Sequence, residues 1–330
     1  MAVVYNIENW REEAIVATIG FFDGVHLGHC YLLGEMQKLA KERHLPSAVV
    51  TFTAHPRKVL QSDYQPKLLN SFDEKIEQLS RTGVDYIIIL DFTISLAALS
   101  AREFITSILS EKLHVSTLFI GYDHRFGYHR AEGFEQYIIY GKECGMEVVS
   151  TTSYTDKFLV VNSAEHQPLN SDSKVEKEIV VSSTKIRNNI AKGDVSAASR
   201  LLGYPYRLKG HIINGYKIGR KIGFPTANIE LEEKFKIHPL SGSYAVWVII
   251  DGCRYRGMLY IGSRPTLDYD DSISIEVNIF DFSEDIYNKS VIVEFVDFIR
   301  EDMKFDSLDD LRAQMCADKQ NAEYAIRNAE

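Results

Sequence analysis

Residues 20–29, GFFDGVHLGH, bring two imidazoles, three glycines and one carboxylate together between an apolar run and an amphipathic one. The run AIVATIGFF reads as a strand ending at Phe22. A turn through Asp23 and Gly24 follows, and a helix begins near Gly28. Such a strand-loop-helix corner at the carboxyl edge of a parallel sheet is where α/β folds hold ligands. The first N–H groups of the helix lack internal partners and its dipole favours negative charge, so the expected guest is a phosphate. Gly20, Gly24 and Gly28 leave room for close approach, and His26 and His29 supply donors that can follow charge moving between phosphates. By itself the spacing also fits a tight turn carrying two surface histidines.

Four further stretches carry chemistry. In VSSTKIRNNI, 181–190, Ser182, Ser183 and Thr184 stand where N-capping residues stand, and Lys185 and Arg187 follow on a helix. They offer hydroxyl and cationic donors of the kind a leaving pyrophosphate needs, or simply a helix cap with solvated charges. The segment GYDHRFGYHRAEG, 121–133, follows a strand and combines three glycines with Asp123, Arg125 and Arg130, as a ligand-facing loop would. In GHIINGYKIGRKIGFPTANIEL, 210–231, Gly215, Gly219 and Gly223 surround Lys217, Arg220 and Lys221, a basic loop suited to a polyphosphate. Thr226 and Asn228, two apart on an extended chain, point neutral oxygens to one side, as a small Mg²⁺ site shared with nucleotide phosphates requires. Strand alternation places Glu276 on the face opposite Ile275 and Val277.

The elements that must position these residues fall into two patterns. From residue 14 to about 150, the short apolar runs AIVATIGFF, SAVVTFT, DYIIILDF, STLFIG and EVVST alternate with amphipathic segments, predicting a parallel sheet covered on both faces. The pairs Ser71/Glu74 and Ser100/Glu103 read as capping boxes that open two of the helices. Residues 157–183 read as a hairpin with a long tip, and residues 184–203 as one helix. From Tyr206 strands dominate, including a type I′ hairpin signal at Asp251-Gly252, and they predict a small antiparallel barrel closed by a C-terminal amphipathic helix. The expected organisation is a first domain over 1–187, a helical linker over 188–205 and a barrel domain over 206–330.

Composition narrows the partners. A formal net charge of -9 over 330 residues disfavours bulk attraction to nucleic acid or anionic lipid, so phosphate binding must be local. The four cysteines are scattered without a C-x-x-C pair and read as thiols in a reducing compartment. Glu8, Arg11, Glu12 and Glu13 interrupt the amino terminus before a signal-peptide run can build, and no apolar stretch reaches the length of a membrane span. These features predict a cytoplasmic location.

The segment GFFDGVHLGH resembles the H-x-G-H signature of nucleotidyltransferases, and VSSTKIRNNI resembles their second signature. The loop at 121–127 is similar to the G-x-D-F-x-F-G segment of bacterial bifunctional riboflavin kinase/FMN adenylyltransferases, with His124 in place of the usual aromatic. The run from Gly215 to Asn228 resembles the flavokinase signature of the same family. The resemblance extends from about residue 14 to about 320. It implies a Rossmann-like nucleotidyltransferase domain followed by a riboflavin kinase barrel, with ATP as co-substrate and Mg²⁺ as cofactor. Riboflavin, FMN and FAD are the implied flavin ligands. It implies that His26 and His29 act in adenylyl transfer, and that ATP lies against Gly20, Phe22, Asp23, Gly24, Gly28, Asp123, Arg125, Ser183, Thr184, Lys185 and Arg187. In the second half it implies Gly215, Gly219 and Arg220 on ATP, Thr226 and Asn228 on the metal, and Glu276 as general base. Arg300 and Glu301 are the implied flavin contacts. The rival readings are a nucleotidyltransferase whose barrel only binds, a flavin or nucleotide sensor without turnover, and an RNA-binding protein.

Overall fold

The computed structural model describes residues 1–55, 67–121, 124–128, 132–160, 175–214, 219, 223–263 and 273–330. Six parallel strands form the first sheet: β1 Ala2–Val4, β2 Ile15–Ile19, β3 Ser47–Phe52, β4 Tyr86–Leu90, β5 Val115–Gly121 and β6 Glu147–Thr151. Their order across the sheet is β1-β4-β3-β2-β5-β6. The chain therefore builds outward on one side of β2 and then returns to the other through β5. A crevice opens at the carboxyl ends of strands flanking such a reversal.

The central strands are mostly apolar because both faces are covered. Ile15, Ala17, Ile19, Ala48 and Val50 pack into one layer, while Val16, Val49, Ile87 and Ile89 pack into the other. On the second face lie α1 (Leu27–Glu42), through Leu33, Met36 and Ala40, and α2 (Phe72–Arg81), through Leu79. On the first face lie Ala101–Glu103, the wider π turns of Phe104–Ser110, and α3 (Phe134–Glu143). Both expected capping boxes form, with Glu74 N–H donating to Ser71 Oγ at 3.2 Å and Glu103 N–H to Ser100 Oγ at 3.2 Å. The edge strand β1 was not foreseen, being too short to show a period.

Strands β7 (Thr155–Val160) and β8 (Val175–Val180) pair antiparallel as expected; the tip between them lies outside the described residues. The single helix expected over 184–203 is two helices, α4 (Ser183–Ala191) and α5 (Val195–Leu202). Gly193, at φ +83°, breaks the first, and the Asp194 carboxylate caps the second by accepting from Ala197 N–H at 3.0 Å.

The remaining strands are β9 (Arg207–Ile213), β10 (Ala227–Leu231), β11 (Gly242–Ile250), β12 (Cys253–Ser263), β13 (Ile273–Ile279) and β14 (Ser290–Glu301). They close into an antiparallel barrel in the order β10-β13-β12-β11-β14-β9, and α6 (Leu308–Ala329) packs against β11, β12 and β14. The β11–β12 turn has Asp251 at φ +50° and Gly252 at φ +80°, the two positive angles a type I′ turn demands. The chain forms two compact units, residues 1–66 with 70–183 and residues 67–69 with 184–330. Leu68 joins the second by bridging Lys236. Among the described residues no helix is long and apolar enough to cross a membrane.

Candidate active sites

In the first unit the decapeptide turns sharply off the end of β2. Phe22 at φ +56° and Val25 at φ +36° occupy backbone conformations that L side chains resist, at about 1–3 kcal/mol each. Gly24, at φ +85°, takes the third such position without that cost. His26 caps α1: its Nδ1 accepts from His29 N–H at 3.3 Å, which leaves Nε2–H as the donor of a neutral ring. The His26 and His29 rings stack with centroids 3.7 Å apart, and Phe22 meets His29 edge-on at 5.1 Å. His29 as a residue keeps some surface open, but its Nδ1 is buried with no hydrogen-bond partner among the described residues. Burial first, then the neighbouring His26 and His124, hold its pKa well below the usual histidine value. At neutral pH it is therefore an uncharged donor-acceptor placed at a helix N-terminus.

The distant serine motif reaches this corner. Ser183 Oγ donates to the Asp23 carbonyl at 2.9 Å, and a side chain at Gly28 would stand 3.3 Å from the Val181 carbonyl oxygen. Gly28 therefore lets the two motifs approach. Thr184, Lys185 and Arg187 continue along α4, and Arg187 donates to Thr184 Oγ1 at 3.4 Å. The buried Asp23 carboxylate accepts from Asn70 N–H at 3.4 Å. Gly20 leaves space for the Phe22 ring, which a Cβ there would meet at 3.0 Å. Arg125 is exposed, in a loop fixed at Phe126 by the Tyr137 hydroxyl and at Gly127 by a backbone approach that leaves no room for a Cβ. Asp123, Gly215 and Arg220 lie outside the described residues.

In the barrel, register assembles a transverse row that sequence alternation could not see. Asn228 pairs with Glu276, Glu276 with Tyr260, Tyr260 with Ser243 and Ser243 with Arg300, linking five strands side by side. Residues directly opposite in antiparallel strands share a face. Thr226 Oγ1 donates to Glu276 Oε2 at 3.1 Å, and Asn278 Nδ2 donates to the Pro225 carbonyl at 2.7 Å, so the PTAN turn is tied to β13 twice. Gly219 is required by contact: its carbonyl accepts from Phe224 N–H at 2.8 Å, and a Cβ would lie 2.1 Å from the Phe224 oxygen.

A cavity of about 320 Å³ opens over this row, between the outer face of the barrel and α6. Thr226 and Glu276 line its polar end; Met258, Met303, Phe305, Leu311 and Met315 line the rest. Arg300 reaches the cavity, but its guanidinium is largely engaged with the buried Asp318 of α6, by Nε at 2.9 and 3.0 Å and by a terminal nitrogen at 2.8 Å. Glu301 is exposed and does not line the cavity. Neighbouring Asp302 does, and it accepts from the Tyr260 hydroxyl at 2.7 Å. Burial and Asp302 raise the Tyr260 pKa, keeping the phenol protonated. Tyr260, Asp302 and the methionines were missed because each is an ordinary surface or core residue until the strands are paired.

A parallel-sheet unit with a histidine corner, followed by a barrel with a carboxylate over an oxygen-lined turn, defines a two-site enzyme of phosphorus transfer. Residues 8–165 match the family model for FAD synthetase, and residues 202–326 match that for riboflavin kinase. The chain is 35% identical to the bifunctional riboflavin kinase/FMN adenylyltransferase of Listeria monocytogenes, over 95% of this chain and 93% of that one. It is 38% identical to the Haemophilus influenzae enzyme of the same name, over 92% of each. A crystal structure described as a macrolide-efflux protein from Streptococcus pneumoniae aligns with a TM-score of 0.82 at 31% identity, covering 98% of this chain and 99% of that one. This chain belongs to the bifunctional riboflavin kinase/FMN adenylyltransferase family.

Proposed function

We propose that the chain phosphorylates riboflavin to FMN at the barrel and adenylylates FMN to FAD at the parallel-sheet unit, with ATP as co-substrate of both steps. The observation that carries the reading is Glu276, held by Thr226 and register-paired with Asn228, in the same chain as a stacked histidine pair at a helix mouth.

In the kinase step the nucleophile is a neutral alcohol. Glu276 accepts the proton of the riboflavin 5′-hydroxyl as that oxygen bonds to the γ-phosphorus and ADP leaves. The apolar stretch of the cavity suits the flavin ring, with Arg300 as one wall and Glu301 outside it. Thr226 donates its proton to Glu276 and so keeps oxygen lone pairs for a cation; with Asn228 it forms a neutral oxygen set that fits Mg²⁺ shared with phosphates. Bound there, Mg²⁺ would neutralise charge building between the β- and γ-phosphates. Among the described residues no cluster of three His, Cys, Asp or Glu side chains offers a rival all-protein metal cage.

In the adenylyl step a phosphate oxygen of FMN attacks the α-phosphorus of ATP in line, and pyrophosphate departs. The nucleophile is already anionic, so positioning and charge stabilisation are what the protein supplies. The N-terminus of α1, His26, His29, Ser183, Thr184, Lys185 and Arg187 fill that role. Phe22, Asp23, Gly20, Gly24 and Gly28 shape the floor, and Asp123 and Arg125 are assigned as further ATP contacts. Gly215, Gly219 and Arg220 belong to the kinase ATP loop. The partners are small molecules, without nucleic acid or membrane, and the compartment is the cytoplasm, in keeping with four free cysteines. Chromatography of products from riboflavin, ATP and Mg²⁺ tests the reading. FMN followed by FAD is the expected result, and riboflavin left unchanged would overturn it.

A further inference from the structure

Lys75 is the most deeply buried lysine among the described residues of the first unit, only 3% exposed, and the reaction as written gives it no part. It lies on α2 and points its ammonium at the carboxyl end of β3. Nζ donates to the Phe52 carbonyl at 2.8 Å and to Thr51 Oγ1 at 3.3 Å, and it lies 4.2 Å from the centre of the Phe21 ring. Thr51 Oγ1 in turn donates to the Phe21 carbonyl at 3.3 Å. A continuous path thus runs from the ammonium to the residue immediately before the strained Phe22. The start of α2 acts on the same turn, since Asn70 N–H reaches the Asp23 carboxylate. Burying an ammonium is costly, and an apolar side chain would fill the space without that cost. Its directional bonds are what the apolar alternative lacks.

We propose that Lys75 is a positioning residue for adenylyl transfer: its ammonium ties the end of β3 to the Phe21–Asp23 turn and holds the histidine corner in the shape that admits nucleotide phosphates. The proposal rests on FMN adenylylation residing in the parallel-sheet unit. Burial lowers the Lys75 pKa to about 8 while Asp23, the charged group acting on it, opposes that shift. His55, the other titratable side chain at this spot, packs edge-on against Phe21 at 4.7 Å. As pH rises through about 8 the ammonium becomes a neutral amine, which keeps N–H donors but loses the charge that strengthens both bonds and the contact with the Phe21 ring, so the tie weakens.

The test uses the full chain and follows kcat/KM for FMN adenylylation from neutral to alkaline pH, in the wild type and in Lys75→Met. Riboflavin phosphorylation by the same samples serves as the internal control. The wild type is expected to show an alkaline limb near pH 8. Lys75→Met is expected to lose about 100-fold in adenylylation at neutral pH, to keep riboflavin phosphorylation within about twofold, and to show no such limb in its residual activity. A wild-type profile flat through pH 8 overturns the proposal without any substitution. So does a Lys75→Met enzyme that makes FAD at the normal rate, or one whose two activities fall together. A wild type that phosphorylates riboflavin but never converts FMN would instead sink the adenylyltransferase assignment, and this inference with it.

Discussion

The two candidate sites, one in each unit, differ in local chemistry. The first presents the uncharged His29 imidazole beside His26 and helix N–H groups, with Ser183 bound to the corner. The second presents a carboxylate and a hydroxyl, those of Glu276 and Thr226. The difference follows from the nucleophiles. A riboflavin hydroxyl must lose a proton to react, so a base is needed beside it. The FMN phosphate is already an anion, so no base is needed to generate the nucleophile. A neutral His29 offers a donor there without the desolvation cost of a permanent buried cation.

The sharpest way to break this contrast is to remove one chemistry and watch the other. Glu276→Gln is expected to slow riboflavin phosphorylation by about 10²–10⁴-fold while FMN adenylylation stays unchanged, as read from initial rates with each flavin. Next in size is Asp318→Ala, which leaves the Arg300 guanidinium half-buried without its carboxylate. We expect a loss of about 3–5 kcal/mol in the barrel unit by denaturant unfolding, with little effect on the first unit.

A pH titration of stability separates the units further. The folded pKa of His29 lies below its unfolded value near 6.5, so the unfolded chain binds the proton more readily. The stability it contributes is complete above pH 6.5 and is lost as pH falls from there toward the folded value. The melting temperature of the first unit should therefore drop on acidification from pH 7, and less so in His29→Asn or with ATP bound. The smallest expected effect is at the exposed Arg81–Glu77 pair on α2, where Arg81→Ala should cost no more than about 0.5 kcal/mol and leave both activities intact.

Much of this architecture could be read from residue order. The strand Ile15–Ile19 is apolar at each position except Thr18 because it is covered on both faces, and that pattern alone names a central parallel strand. Asp251-Gly252 announced its turn by chemistry that few other pairs share. The split between α4 and α5 was missed because Gly193 and Asp194 interrupt an apolar period that continues on either side. Within the candidate sites, His26, His29 and Thr226 stood out as residue types at meaningful spacing, and Glu276 stood out only through the family resemblance. Tyr260, Asp302 and Asp318 were not, since their roles depend on strand register and on which face α6 covers. Lys75 was hidden for a related reason: on an amphipathic helix a lysine looks like a solvated charge, and only the sheet end above it turns it inward.

Complementation between two crippled chains tests the central claim most directly. His29→Ala protein given riboflavin, ATP and Mg²⁺ should stop at FMN, and Glu276→Gln protein should leave riboflavin nearly untouched. Mixed in one tube, the two should make FAD, because each retains the site the other lacks. A mixture that forms no more FAD than either variant alone, under conditions where the wild type forms it readily, would contradict the assignment of one phosphorus transfer to each unit.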